Sequence, residues 1–169
     1  MDIDLRKLTL DDTSNIVCWR NQPWLLEYFI DQRKITKESH EKYVKTRIQT
    51  GIVKQWIIVV DGVDVGTCFL RDINYETNEA EYGVLIGEKD YLSKGIGSKV
   101  VCMVLEYAFK VMNLDHVFVR VQEKNPRSIN SFLKAGFKYM DHVEEVLIHE
   151  QRERIVFLSI NKETFLGAK

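Results

Sequence analysis

Little in this chain of 169 residues could staple or bend it: it has three cysteines, two prolines and nine glycines. Cys18, Cys68 and Cys102 are odd in number, far apart and without C-x-x-C spacing, which excludes a disulfide framework and a zinc site. His40, His116, His142 and His149 are scattered with no H-E-x-x-H pattern, so no metal is expected. So little glycine and proline leaves no long low-complexity linker. An excess of charge of one sign is also missing: 24 basic residues stand against 25 acidic ones, a net charge of −1. Without a basic balance or stripe, nucleic acid is not an expected partner. No apolar run approaches roughly 18 residues, so no membrane span is expected. The opening MDIDLRKLTLDD is acidic and non-periodic and does not read as a signal peptide. A cytoplasmic, reducing location is the resulting expectation.

What is present is an apolar content of 45%, ordinary for a globular domain. The expectation is one domain over 1–169, burying about two thirds of its surface. Residues 2–8 alternate as a strand. Residues 11–20 open with Asp and Thr cap candidates and read as a helix, and an aromatic segment, PWLLEYF, follows. A second helix over 36–50 has Thr36 as its cap and ends at Gly51. The period then changes. The β-branched run 55–60, the Asp61-Gly62 turn and the return strand 63–71 read as a hairpin, and 81–86 adds a third antiparallel strand. A helix over about 97–112, the strand 116–122, a helix from Pro126 to about Lys134 and strands at about 137–147 and 152–160 complete the chain. Strand, helix, strand over 81–122 is a βαβ crossover, which places two parallel strands inside an otherwise antiparallel sheet. The fold class is α/β: a mixed, mostly antiparallel sheet of six or seven strands with helices on both faces.

The helix over 97–112 is apolar on nearly every side, so it belongs against the sheet. It is entered through Leu92-Ser93-Lys94-Gly95-Ile96-Gly97-Ser98. The first N–H groups of a helix lack internal partners and carry positive potential, and glycines let a large anion come close. That makes a diphosphate cradle; the alternative is that Gly95 and Gly97 only shape a tight strand-to-helix turn. The spacing of a Walker A loop is absent. The third glycine of the dinucleotide fingerprint is Val100 here, and the loop follows a β-meander.

Two segments carry a resemblance. Leu92–Gly97 is similar to the Q/R-x-x-G-x-G/A loop of the GNAT N-acetyltransferases. Asn125, Ser128, Phe132, Lys134, Gly136 and Phe137 are similar to their N-x-x-S/A-x-x-x-Y/F-x-K-x-G-F segment. The chain resembles the branch that holds ribosomal-protein, spermidine and nucleotide-amino-sugar acetyltransferases, and Trp19-Arg20-Asn21 followed by aromatics is most similar to the last group. It departs from the family at Leu92, where Gln or Arg is usual, and at Phe132, where many members have Tyr.

The resemblance implies acetyl-CoA as donor and direct attack by a primary amine in a ternary complex. In that fold the strands 81–86 and 116–122 splay. The pantetheine arm would pair with the backbone at Val84, Leu85 and Ile86, and Gly83 would mark a bulge. The diphosphate would lie on Leu92, Ser93, Lys94, Gly95, Ile96, Gly97 and Ser98. Asn125 would bond the pantetheine or cap the helix at Pro126, with Arg127 and Asn130 in reach of the cofactor. Glu81 is the candidate general base, with Glu79 on the same face. Phe132 cannot give a proton, so Ser128 is the candidate acid, with Ser131, Tyr139 or water as alternatives. Trp19, Arg20, Asn21 and Trp24, with Tyr28 and Phe29, offer stacking surface and a cation that suit a nucleotide sugar; the alternative is core aromatics under a helical lid. A near-neutral chain gives no support for a polyamine. The alternatives left open are a protein N-terminus as acceptor, a non-catalytic acyl-CoA-binding domain, and a homodimer.

Overall fold

The structure is a computed structural model that describes residues 1–168. The strands are β1 (Ile3–Lys7), β2 (Lys54–Val60), β3 (Val63–Asn74), β4 (Glu79–Ile86), β5 (His116–Gln122), β6 (Lys138–Ile148) and β7 (Gln151–Asn161). The helices are α1 (Thr13–Arg20), α2 (Pro23–Leu26), α3 (Lys37–Tyr43), α4 (Ile96–Glu106), α5 (Pro126–Lys134) and α6 (Lys162–Gly167). The strands form one sheet in the order β1-β2-β3-β4-β5-β7-β6. Only β4 and β5 run parallel, so the expected mixed sheet with a central crossover is what forms.

Local chemistry explains the element ends. Asp61 and Gly62 both have positive φ, 49° and 82°, as a two-residue hairpin turn requires. Thr36 caps α3 by accepting from Ser39 N. Asn125 caps α5, with Pro126 in its first turn. α3 and α4 each run on into a wider π-type turn, Val44–Ile48 and Tyr107–Val111. Two short helices go beyond the sequence expectation. The aromatic segment folds as α2, started by Pro23, and Asn161 caps α6 by accepting from Thr164 N.

Each face of the sheet is buried by its own layer. Val100, Val101, Val104 and Leu105 of α4 join Leu70, Tyr82, Val117 and Val119 in the larger core. On the other face Ile16, Trp19, Leu25 and Val44 pack with Ile57 and Leu85. Arg6 fastens the N-terminal layer to the sheet by donating to both Asp12 and Asp64.

The feature that positions everything else is the seam between the parallel strands. β4 and β5 pair only at Glu79↔His116, Ala80↔Val117 and Glu81↔Phe118. Beyond Glu81, β4 stays with β3 as far as Gly66↔Ile86, and β5 stays with β7 as far as Gln122↔Ile155. The sheet is therefore divided from Tyr82 onward, as the resemblance implies. Gly83 is not a bulge: its register with β3 is continuous. A Cβ there would lie 2.1 Å from Phe69 Cζ, so the bare glycine makes room for the Phe69 ring.

Candidate active site

A cavity of about 1230 Å³ runs through the split in the sheet, larger than a pocket for one drug-sized ligand. One end is the head of α4. Gly95 caps that helix with φ 76°, and its first intrahelical bond there runs from Lys99 N to Gly95 O at 3.3 Å. The amides of Ile96, Gly97 and Ser98 therefore precede any intrahelical partner. A Cβ at Gly95 would meet nothing within 4 Å, and one at Gly97 only Ser131 Oγ at 3.6 Å. The space over these amides is open. Leu92, Ser93, Ile96 and Ser98 line it too. Lys94 is the exception among the expected loop residues: it is not in the wall, and its ammonium sits over the Tyr91 ring, 5.2 Å from the centroid.

The middle of the cavity is bounded by Val84, Leu85 and Ile86 on one side and by Asn125, Arg127, Ser128 and Asn130 on the other. Asn125 Oδ1 accepts from Ser128 N at 3.2 Å, so it caps the helix while also facing the cavity. Ser98 and Ser131 join α4 to α5 with hydroxyls 3.3 Å apart. Phe132 is buried, edge-on to Tyr82 at 6.0 Å and 5.4 Å from Phe137.

The far end lies between the sheet and α1–α3. Glu81 lines it but is not free there. Arg71 donates to it from Nε and Nη2 at 2.8 and 3.2 Å, and Arg120 donates at 3.0 and 2.9 Å. Burial alone would raise this carboxyl's pKa, but the two guanidinium partners outweigh it and hold it below the usual glutamate value. A carboxylate so depressed and so fully engaged is a poor proton acceptor. The sign of its linkage is fixed: its contribution to stability is complete above the ordinary value of 4.5 and is lost as pH falls through the lower folded value. Glu81→Gln is expected to flatten the acid limb of the stability–pH curve below pH 4.5, read from urea midpoints in acidic buffers; an unchanged limb would assign the acid sensitivity to other carboxylates, Asp12 first.

The four expected acceptor residues divide. Trp19 is core, 3% exposed, donating from Nε1 to Glu88 and packed on Gly87, where a Cβ would lie 2.1 Å from its ring. Trp24 lies outside the wall, bonded to Gln22 with Lys89 over its ring. Asn21 is a strap buckle: its amide donates to Ile35 O and accepts from Ile35 N, closing the loop between α1 and α3. Arg20 alone of the four faces the cavity, with Tyr28 and Phe29 nearby in the wall. The tail strands β6 and β7 contribute nothing to the wall. His40, buried, is in it: Nδ1 bonds Thr13 Oγ1 at 3.0 Å while Nε2 has no partner among the described residues. Burial lowers its pKa and keeps the ring neutral.

Comparison with known proteins adds a family to this geometry. A family model described as an acetyltransferase (GNAT) domain matches residues 2–138. The chain belongs to the GNAT acetyltransferase family. As a GNAT protein it is an N-acetyltransferase with acetyl-CoA as donor. Among its relatives is the spermidine N(1)-acetyltransferase of Escherichia coli K12, 26% identical over 149 residues, 87% of this chain and 72% of that protein. An uncharacterised protein of Methanocaldococcus jannaschii is 30% identical over 141 residues, and the match spans 80% of this chain but only 28% of that protein. In fold, the GNAT chain superposes on the Vibrio cholerae spermidine N-acetyltransferase solved with CoA and spermine, with a TM-score of 0.90, 22% identity and coverage of 97% and 98% of the two chains. That enzyme has also been solved as a dodecamer. Among the described residues no helix of this GNAT chain is long and apolar enough to cross a membrane, and no cluster of three or more His, Cys, Asp or Glu is disposed to hold a metal.

Proposed function

We propose that the chain transfers the acetyl group of acetyl-CoA to a primary amine by direct attack in a ternary complex, and that the amine belongs to a nucleotide-linked amino sugar. The observation that carries this reading is the continuity of one cavity from the amides at the head of α4, through the split beside Tyr82–Ile86, to the arginine-lined compartment under α1–α3. Bound there, acetyl-CoA would supply an activated thioester carbonyl. The chain's own part is to hold and to separate. Amides of Ile96, Gly97 and Ser98 grip the diphosphate. The unpaired edge of β4 beyond Glu81 lines up the arm and presents backbone N–H to the carbonyl as negative charge develops. The amine enters from the opposite side, so the two substrates meet only at the split.

Proton handling is assigned by what each group can do. Glu81, ion-paired to two arginines, holds those arginines in place rather than taking the amine's proton, which passes to water. The departing thiolate would take the proton of the Ser128 hydroxyl as that hydroxyl regains one from the water that received the amine's proton, so the net transfer runs from amine to thiol with Ser128, in the cavity wall, as the relay. Ser128→Ala is expected to lower kcat about tenfold, a modest loss because a thiolate is a good leaving group. On that background Phe132→Tyr is expected to restore turnover by supplying a hydroxyl. Free-thiol release under saturating acetyl-CoA checks both; no change on Ser128→Ala would hand the proton to water.

The amino-sugar reading is supported by the aromatic and arginine content of the acceptor compartment. A polyamine is the second reading, favoured by the spermidine acetyltransferases among the relatives. Thiol release with a nucleotide-linked amino sugar, spermidine and an N-terminal peptide separates these, turnover of the first alone being the expected outcome. Stabilisation by acetyl-CoA with no release from any amine would instead favour an acyl-CoA-binding domain without turnover.

A further inference from the structure

The acceptor compartment is built around positive charge. Arg20, Arg47, Arg71 and Arg120 line it, against Asp31, Asp72 and Glu81. Sharper than the count is how these charges are spent. Arg71 and Arg120 both bond Glu81, and Arg71 Nε also lies 4.0 Å from Asp72 Oδ2; with Arg20 and Arg47 against Asp31, the wall keeps a net positive charge. Each guanidinium bonds Glu81 through Nε and Nη2 only, leaving Nη1 for another acceptor. Arg20 has no ion pair with a carboxylate among the described residues. It lies over the Phe29 ring at 3.8 Å and gives Nη2 to Asp31 O. Its Nη1 is buried with no partner among the described residues. It feels the attraction of Asp31 and, more weakly, the repulsion of Arg71. His40 Nε2, on the same wall, is a second buried nitrogen without a partner. Burying a donor and leaving it unmet is costly. An anion held in this wall would give Arg20 Nη1 an acceptor and offset the mutual repulsion of the half-buried guanidiniums.

We propose that Arg20, Arg71 and Arg120 form a phosphate-binding subsite for the acceptor, so that the amine substrate carries a phosphate or diphosphate. Glu81 is its positioning residue, fixing the two strand arginines as a pair. The proposal rests on the acetyltransferase reading, since the subsite lies beyond the split in the cavity that acetyl-CoA enters from the other end. It also gives that reading its selectivity. A polyamine would bring several ammonium groups against four arginines that outnumber the three acidic residues of the same wall, whereas a phosphate ester would be drawn in.

The test uses the full chain saturated with CoA, so that the amides at the head of α4 are already filled. Calorimetric titration with uridine diphosphate is expected to show binding, weaker at high salt, with inorganic pyrophosphate binding less tightly and spermidine not competing. Arg20→Ala, which breaks no hydrogen bond to a carboxylate, is expected to weaken uridine diphosphate about tenfold, as loss of a charge-assisted contact does. CoA affinity and circular dichroism should be unchanged. Arg71→Ala should act in the same direction, but it strips Glu81 of a partner, so Arg20→Ala decides if that variant misfolds. Equal binding by wild type and Arg20→Ala, no binding of either anion to the CoA-loaded chain, or displacement of the anion by spermidine would each overturn the subsite while leaving the donor site standing. If CoA itself neither binds nor stabilises the chain, the acetyltransferase reading falls and takes the subsite with it.

Discussion

Replacing Gly97 with tryptophan is expected to cost the protein about 100-fold in CoA affinity, some 2.7 kcal/mol, while the unliganded fold stays intact. The two halves of that expectation have separate causes. Charge-assisted hydrogen bonds to a phosphate contribute about 1.5–3 kcal/mol each, and an indole placed over the first turn of α4 keeps the diphosphate from at least one amide. The fold tolerates the change because a Cβ at position 97 meets only Ser131 Oγ, at 3.6 Å, and the indole has the cavity to occupy. Calorimetry with CoA beside thermal melts of the free protein reads both. Undiminished affinity would move the diphosphate away from the head of α4.

Gly66→Val is expected to do the reverse, damaging the fold without touching the donor amides. A Cβ at position 66 would lie 2.1 Å from Leu85 O and 3.0 Å from Ile86 Cα. These are backbone atoms of the neighbouring strand, which no rotamer change can move aside. β3 and β4 would have to part where Gly66 faces Ile86. A loss of about 4 kcal/mol is a large share of a typical 5–15 kcal/mol total and lowers the melting temperature by roughly 10 °C in a domain of this size. Gly167→Ala, where a Cβ meets nothing within 4 Å, is the control, expected to stay within about 0.5 kcal/mol of wild type. Urea denaturation of both variants checks the contrast; a Gly66→Val chain as stable as the control would mean that the strands can separate there at little cost.

These two glycines also show how far the sequence could be read. Gly95 and Gly97 were legible because a helix start announces itself locally: a turn, two glycines, then an apolar run. The strand 116–122 was legible for the same reason, its β-branched alternation being a property of neighbours in sequence. Gly66 was not, since nothing near it shows that the carbonyl of Leu85 passes 2.1 Å from where its Cβ would be. The arginine pair escaped for a related reason. Arg71 faces Glu81 only through the β3–β4 register, and Arg120 reaches it only because β5 is parallel and Arg120 lies two residues beyond Phe118, the partner of Glu81, on the same face. Without that register Glu81 looks like an unattended carboxylate at a strand entrance. Trp19 and Trp24 fit both stacking surface and core in the sequence, because composition cannot tell an aromatic that lines a cavity from one that closes a core. Arg20, next in sequence to Trp19, does face the cavity, since adjacent helical residues project about 100° apart.

One attachment ties the compartments together. Gln122, at the end of β5, donates from its side-chain amide to the carbonyls of Glu27 and Phe29, while Asn21 closes the same stretch of chain at its other end on Ile35. The roof above the acceptor is thus sewn to one lip of the divided sheet, and the other lip belongs to β4. Strand spacing becomes a common ruler for both substrates: any substitution that spreads the lips to admit a bulkier acyl group also drags the roof and resizes the acceptor chamber, so donor and acceptor preferences in this protein will change together.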